Sequence, residues 1–330
     1  RSDHIHISAP YYRQHLAKIM MAKKPERKNY ASWQRQQFVE DSVAWEDDSL
    51  FGWCHKNKKP DGSYYNIYTD GLKIYSTIDS RMQLHAEAAV REHMGGSLQD
   101  QFFQEKRGAK YAPYSREVSD QVEHLMTVAM RQTERYRVLK SGGMSEEDIL
   151  KNFKENPVEM KVFSWEHQEI DTVMTPWDSI RYHKNFLRTG FMAMDPYTGN
   201  VKAYVGGPDF KFFKYDMVTT GKRQIGSTIK PYLYTVAMEE GMTPCDQLTH
   251  QPITLMTETG EEWTPRNPGH TSGETVTIKW GLQRSSNWVT AYLMKQFSPY
   301  AFARMLQSFG LKTPADPVVS LALGPNAASG

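Results

Sequence analysis

The chain has 330 residues, 39% hydrophobic and 24% charged, with a mean hydropathy of −0.65, which fits a soluble globular protein of about two units. Forty Lys and Arg against 38 Asp and Glu leave a net charge of +2, too balanced for a nucleic-acid binder, and no run of ~18 apolar residues is present to cross a bilayer. Cys54 and Cys245, far apart in sequence, support neither a disulfide framework nor a zinc knuckle.

Residues 1–70 read as a partly structured linker: a short helix over Tyr11 to Met21, a break at Lys23-Lys24-Pro25, an amphipathic stretch from Trp33 to Val43, and a loop packed through tryptophans. From Gly71 the alternation of Leu72, Ile74, Ser76 and Ile78 predicts a strand. Asp79 or Ser80 then caps a helix whose apolar stripe is Met82, Ala86, Ala89, Val90 and His93. Val118, Val122, Leu125 and Ala129 predict one long helix ending at Gly142-Gly143, and Ser145 with Asp148 forms a capping box for the next, which Pro157 limits. Phe191 to Met194, a turn at Asp195 to Asn200, and Val201 to Val205 read as strand, turn and strand. Helical patterns follow from about Ser227 and from about Thr277. The last helix has Ser298 as N-cap, Pro299 at N1 and Gly310 just past its end. The class is α+β, with helices around an antiparallel sheet.

The string that can carry chemistry is Arg223-Gln-Ile-Gly-Ser-Thr-Ile-Lys-Pro231. If a helix starts at Ser227, Lys230 shares its face and the two side chains can touch. Pro231 is tolerated only in a first turn, so it pins the start near Ser227, and Gly226 lets another backbone come close. A serine there sits at the positive end of the helix, where a developing oxyanion is favoured. Serine is a poor nucleophile until a neighbour takes its proton, and the nearest candidate is Lys230. That lysine needs its pKa brought from about 10.4 to near 7, about 4 kcal/mol against ionisation, which burial can supply. A surface lysine beside a capping serine has the same spacing, so the pattern alone is weak. A second feature is Ser285-Ser286-Asn287, which interrupts an apolar helical pattern. It reads either as a helix cap or as S-x-N, with Ser285 as proton relay and Asn287 as an amide for a substrate.

S-x-x-K followed by S-x-N, together with the strings Gly71 to Asp79, Met194 to Gly207, Trp280 to Asn287 and Ser320 to Gly324, resembles the transpeptidase region of class A, bifunctional penicillin-binding proteins. The resemblance covers residues 71–330, the N-terminal part of such a domain, and 1–70 resembles the linker from a glycosyltransferase domain. It implies the penicillin-binding-protein/β-lactamase-like fold and a serine D,D-transpeptidase that acts on peptidoglycan stem peptides and is acylated by β-lactams. Ser227 is then the nucleophile, Lys230 the base, Ser285 the relay, and Asn287 with Gly226 substrate-binding. No metal or other cofactor is implied, nor any nucleic acid. The membrane is met only through an anchor outside this chain, with work on the extracytoplasmic, periplasmic face.

The family's third motif, Lys-Thr/Ser-Gly, does not follow S-x-N before Gly330, so this chain is expected to be incomplete and inactive by itself. Lys140-Ser141-Gly142 precedes S-x-x-K and reads as a helix end, and Lys312-Thr313-Pro314 has proline for glycine. A D,D-carboxypeptidase, or an incompetent peptidoglycan- or partner-binding module of the same fold, are the alternatives. Glu46-Asp47 with Phe51 only faintly resembles a glycosyltransferase string. His4 and His6 lack a third metal ligand, and Glu166, His167 and Glu169 read as surface charge.

Overall fold

A computed structural model describes residues 9–257, 259–268, 273–311, 318–324 and 327–329. His4, His6 and Lys312-Thr313-Pro314 lie outside them. The chain divides into two compact units, Arg1–Thr219 and Thr220–Gly330. Among the described residues no helix is long and apolar enough to cross a membrane.

The first unit opens with α1 (Pro10–Met20), α2 (Arg35–Asp47) and α3 (Trp53–Lys56). Pro10 starts α1 where its missing N–H costs nothing, and Tyr11 anchors the helix through a 2.6 Å hydrogen bond from its hydroxyl to Phe213 O. Of the linker tryptophans, Trp45 packs over Gly52, whereas Trp33 is 81% exposed. Then come α4 (Ser80–His93), α5 (Gln99–Lys106), α6 (Val122–Arg131), α7 (Glu134–Ser141), α8 (Glu146–Glu155), the hairpin β1 (Val158–Ser164) and β2 (Gln168–Met174), α9 (Pro176–Lys184), β3 (Phe191–Met194) and β4 (Val201–Val205). Val122, Met126, Met130, Ile149, Phe153 and Trp177 form the core of its helical part.

Local chemistry sets most of these boundaries. Ser145 Oγ accepts from Asp148 N at 3.1 Å, and Asp79 caps α4 by accepting from Arg81 N and Met82 N. Asp195 Oδ1 accepts from Tyr197 N and Thr198 N, closing the turn between β3 and β4. Lys140-Ser141-Gly142 is simply where α7 stops. Glu166, His167 and Glu169 sit at the hairpin end, with Glu169 bridging Lys161 and Lys211.

Three expectations change. Residues 71–79 form no strand: the segment follows β4, bonds to it through Asp79 N to Lys202 O and Thr77 Oγ1 to Val201 O, and packs Ile78 on the cluster around Tyr204. The long helix is two, because Thr133 takes the Tyr136 N–H with its hydroxyl and so starts α7 afresh. The buried stripe of α4 is Gln83, Ala86 and Val90, while Met82 is exposed. Gln83 substitutes for a neighbouring strand: its Oε1 accepts from Tyr204 N at 2.7 Å and its Nε2 donates to Tyr204 O at 3.0 Å.

The second unit holds α10 (Lys230–Glu239), α11 (Ile278–Gln283), α12 (Asn287–Gln296) and α13 (Pro299–Ser308). Its strands are β5 (Lys222–Gln224), β6 (Gln247–Thr249), β7 (Leu255–Met256), β8 (Glu262–Trp263), β9 (Thr275–Thr277) and β10 (Ala327–Ser329). Leu233 and Ala237 of α10, Val289, Leu293 and Met294 of α12, and Phe302 and Leu306 of α13 make one apolar core with Leu321. The class is α+β as expected, with antiparallel pairing throughout: β1–β2, β3–β4, β5–β10, β6–β9 and β7–β8 are separate two-stranded ladders among the described residues.

Replacing Gln83 by Leu keeps the volume and strands both Tyr204 backbone groups. It is expected to destabilise the first unit by about 2–4 kcal/mol, read by urea unfolding. A loss under about 0.5 kcal/mol would show that water or another group reaches Tyr204.

Candidate active site

β5 ends at Gln224, and Gly226, at φ +52°, turns the chain into a 3-10 helix over Gly226–Ile229 that runs into α10. Pro231 lies in the first turn of α10, as the sequence requires. Ser227 is exposed on this short helix, among the N–H groups that have no partner within a helix. Three residues on, Lys230 is 1% exposed.

α11 ends at Gln283, and Ser285 adopts φ +52°, a left-handed conformation uncommon for a residue with a side chain. Ser286 then caps α12, its hydroxyl accepting from Val289 N at 3.3 Å. The reversal turns both Ser285 oxygens toward the lysine. Lys230 Nζ donates to Ser285 O at 2.6 Å, to Ser285 Oγ at 3.1 Å and to Asn287 Oδ1 at 2.7 Å. Its three protons are thus used by the S-x-N segment, and none goes to Ser227. The ammonium is held by these acceptors, as a desolvated donor requires. Burial is the cause that brings the Lys230 pKa down, to about 8. About a tenth of such a lysine is a free amine at pH 7.

Several residues around this centre carry no signal in spacing. Asn287 Nδ2 donates to Arg266 O at 2.6 Å, Asn287 N to Asn267 Oδ1 at 2.7 Å, and Trp288 Nε1 to Pro265 O at 3.1 Å. Buried His250 pairs through Nε2 with Ser286 Oγ at 3.1 Å, between Trp280 and Trp288. The one cue was Pro265-Arg-Asn-Pro268, in which two prolines favour an extended backbone. Gly324 closes over Gly226: Gly226 N donates to Gly324 O at 3.0 Å, and a Cβ on Gly324 would lie 2.2 Å from Gly226 O. The missing Cβ of Gly324 rather than that of Gly226 allows this approach, since a Cβ on Gly226 would meet nothing within 4 Å, and β10 pairs with β5 just beyond.

Two family models adjoin along the chain: the penicillin-binding protein middle domain over residues 109–187 and the penicillin-binding protein transpeptidase domain over 189–320. Penicillin-binding protein 1A of Escherichia coli (strain K12) is 36% identical over 142 residues, 42% of this chain and 16% of that protein. Penicillin-binding protein 1A of Rickettsia bellii (strain RML369-C) is 27% identical over 281 residues, 80% of this chain and 35% of that protein. The crystal structure of Penicillin-Binding Protein 1A from Haemophilus influenzae aligns at a TM-score of 0.49 and 16% identity, covering 92% of this chain and 45% of that one. The chain therefore spans about a third or less of the length of these curated relatives.

The two glycines at the Ser227 turn should respond differently to alanine. Gly226→Ala meets no atom within 4 Å and should cost only the left-handed backbone, about 1–2 kcal/mol. Gly324→Ala adds the clash with Gly226 to that cost and should lose at least about 1 kcal/mol more in urea unfolding. Equal losses would mean that the two backbones are not in contact.

Proposed function

We propose, for a chain that belongs to the penicillin-binding protein family, that its second unit carries a serine acyltransferase site that cross-links peptidoglycan stem peptides ending in D-Ala-D-Ala. The observation that carries this reading is the buried Lys230 Nζ, held by Ser285 and Asn287 with a pKa of about 8. It ties S-x-x-K to S-x-N through one titratable group with the affinity a base needs near neutral pH.

In the reaction, neutral Lys230 takes the proton of the Ser227 hydroxyl, and Ser227 Oγ bonds to the carbonyl carbon of the penultimate D-Ala. Charge on the carbonyl oxygen develops toward the Ser227 N–H at the start of the helix. Contacts between nucleophile and base that are long in a free enzyme often tighten when substrate binds. The Ser285 hydroxyl can accept from the ammonium or donate to the amine, so it follows the charge state of Lys230 without moving. Through it the proton reaches the nitrogen of the terminal D-Ala as the C–N bond breaks. An acceptor amine then reverses these steps and takes the acyl group from Ser227. Asn287 keeps one N–H beyond its bond to Arg266 O, enough to hold one carbonyl of the donor peptide. A β-lactam acylates the same serine by opening its ring amide, and the substrate places the work outside the cytoplasmic membrane.

Intact-mass spectrometry with peptide mapping, after exposure of the full-length protein to a penicillin, should place one adduct, on Ser227. An adduct undiminished in Ser227→Ala contradicts the assignment.

Acylation should also rise with pH and level off above about 8, because the base works only when deprotonated. Lys230→Arg should remove acylation altogether, since guanidinium cannot be deprotonated in a protein. A rate independent of pH between 6 and 9, or near-normal labelling of the arginine variant, would reduce Lys230 to a fixed positive charge.

A further inference from the structure

The base and the substrate amide depend on where α12 begins, and that point is held by a strap from outside both motifs. Pro265, Arg266 and Asn267 run across the helix entry, and each takes one donor. Pro265 O takes the Trp288 indole, Arg266 O the Asn287 amide and Asn267 Oδ1 the Asn287 backbone N–H. Asn267 Oδ1 also accepts from Ser286 Oγ at 3.4 Å, so it serves the first two residues of the entry together.

The consequence is an orientation. The Asn287 side chain has an oxygen at one tip and an NH2 at the other. Its oxygen faces the Lys230 ammonium and its NH2 faces the Arg266 carbonyl. Flipped, it would set donor against donor and acceptor against acceptor, so the strap fixes which tip meets the lysine. Asn267 is the one member of the strap that contributes a side chain, and its oxygen satisfies an N–H that the helix itself leaves unpaired.

We propose that Asn267 is a positioning residue for acyl transfer, acting through Asn287 to hold the Lys230 amine where the serine proton must go. The proposal rests on the roles given above to Ser227, Lys230 and Asn287. Without the Asn267 oxygen, the Asn287 N–H and the Ser286 hydroxyl lose their shared acceptor. The strap then loosens together with Arg266 O.

The test is a double-mutant cycle on the acylation rate of the full-length protein with a fluorescent penicillin, using Asn267→Ala, Asn287→Ala and both together. Asn267→Leu, which keeps the volume and removes only the polar atoms, replaces the alanine variant if that one does not fold. Each single change is expected to slow acylation about tenfold, the size of one well-placed hydrogen bond. Asn267→Ala should add less than twofold once Asn287 is already Ala. The acid side of the pH profile should also move to lower pH in both single variants, since Asn287→Ala removes an acceptor of the ammonium and Asn267→Ala loosens the hold on that acceptor. Independent losses that multiply, or an unmoved profile in the Asn267 variant, would make Asn267 a structural residue only. Slow Asn287→Ala with normal Asn267→Ala overturns this inference alone. Normal rates in both overturn it together with the role of Asn287, and a slow Asn267→Ala beside a normal Asn287→Ala shows that Asn267 does not act through Asn287.

Discussion

An ammonium group stripped of water has two ways to be tolerated inside a protein: a carboxylate that keeps it charged, or neutral acceptors that leave it free to lose its proton. Lys230 has the second arrangement, with a carbonyl, a hydroxyl and an amide oxygen as its partners and burial as the cause of its lowered pKa. The acceptors fix its position without fixing its charge. A carboxylate in place of Asn287 would raise the pKa again and remove the base role proposed for the lysine. This constraint explains why an amide, rather than an acid, stands opposite the lysine.

The rest of the second unit can be understood as the means of bringing those acceptors to that point. Ser285 carries a left-handed backbone, a cost of about 1–3 kcal/mol that the surroundings must offset. They do so through a capped α12, a buried histidine braced by two tryptophans on Ser286, and a strap that closes over the helix entry. On the other side, Pro231 and the Gly226–Gly324 contact fix the turn that presents Ser227. The exposed serine and the buried lysine thus lie three residues apart on one short run of chain.

What was legible in the sequence was local. Pro231, Ser298, Thr277, Asp195 and the Ser145–Asp148 box each act on backbone within four residues, and their elements begin where those residues stand. Alternation at 72–78 misled because a period of two describes an extended chain whether or not a neighbour bonds to it. Gln83 looks polar, and only the strand edge at Tyr204 makes it a core residue. The S-x-x-K and S-x-N strings stood out by residue type, yet their spacing could not show that Ser285 and Asn287 are the acceptors of the lysine. Apart from the prolines that flank Asn267, it and His250 had no local signature, since what they do is defined by a helix entry about 20 and 36 residues away.

The base role proposed for Lys230 rests on its burial against neutral acceptors. The most direct measurement is an NMR titration of the protein with isotope-labelled lysine side chains, the Lys230 signal being assigned by its loss in Lys230→Arg. The Lys230 signal is expected to titrate with a midpoint near 8, well below the ordinary lysine value of about 10.4. A Lys230 midpoint above about 10 would contradict it, because the ammonium would then be solvated or paired and could not take the serine proton.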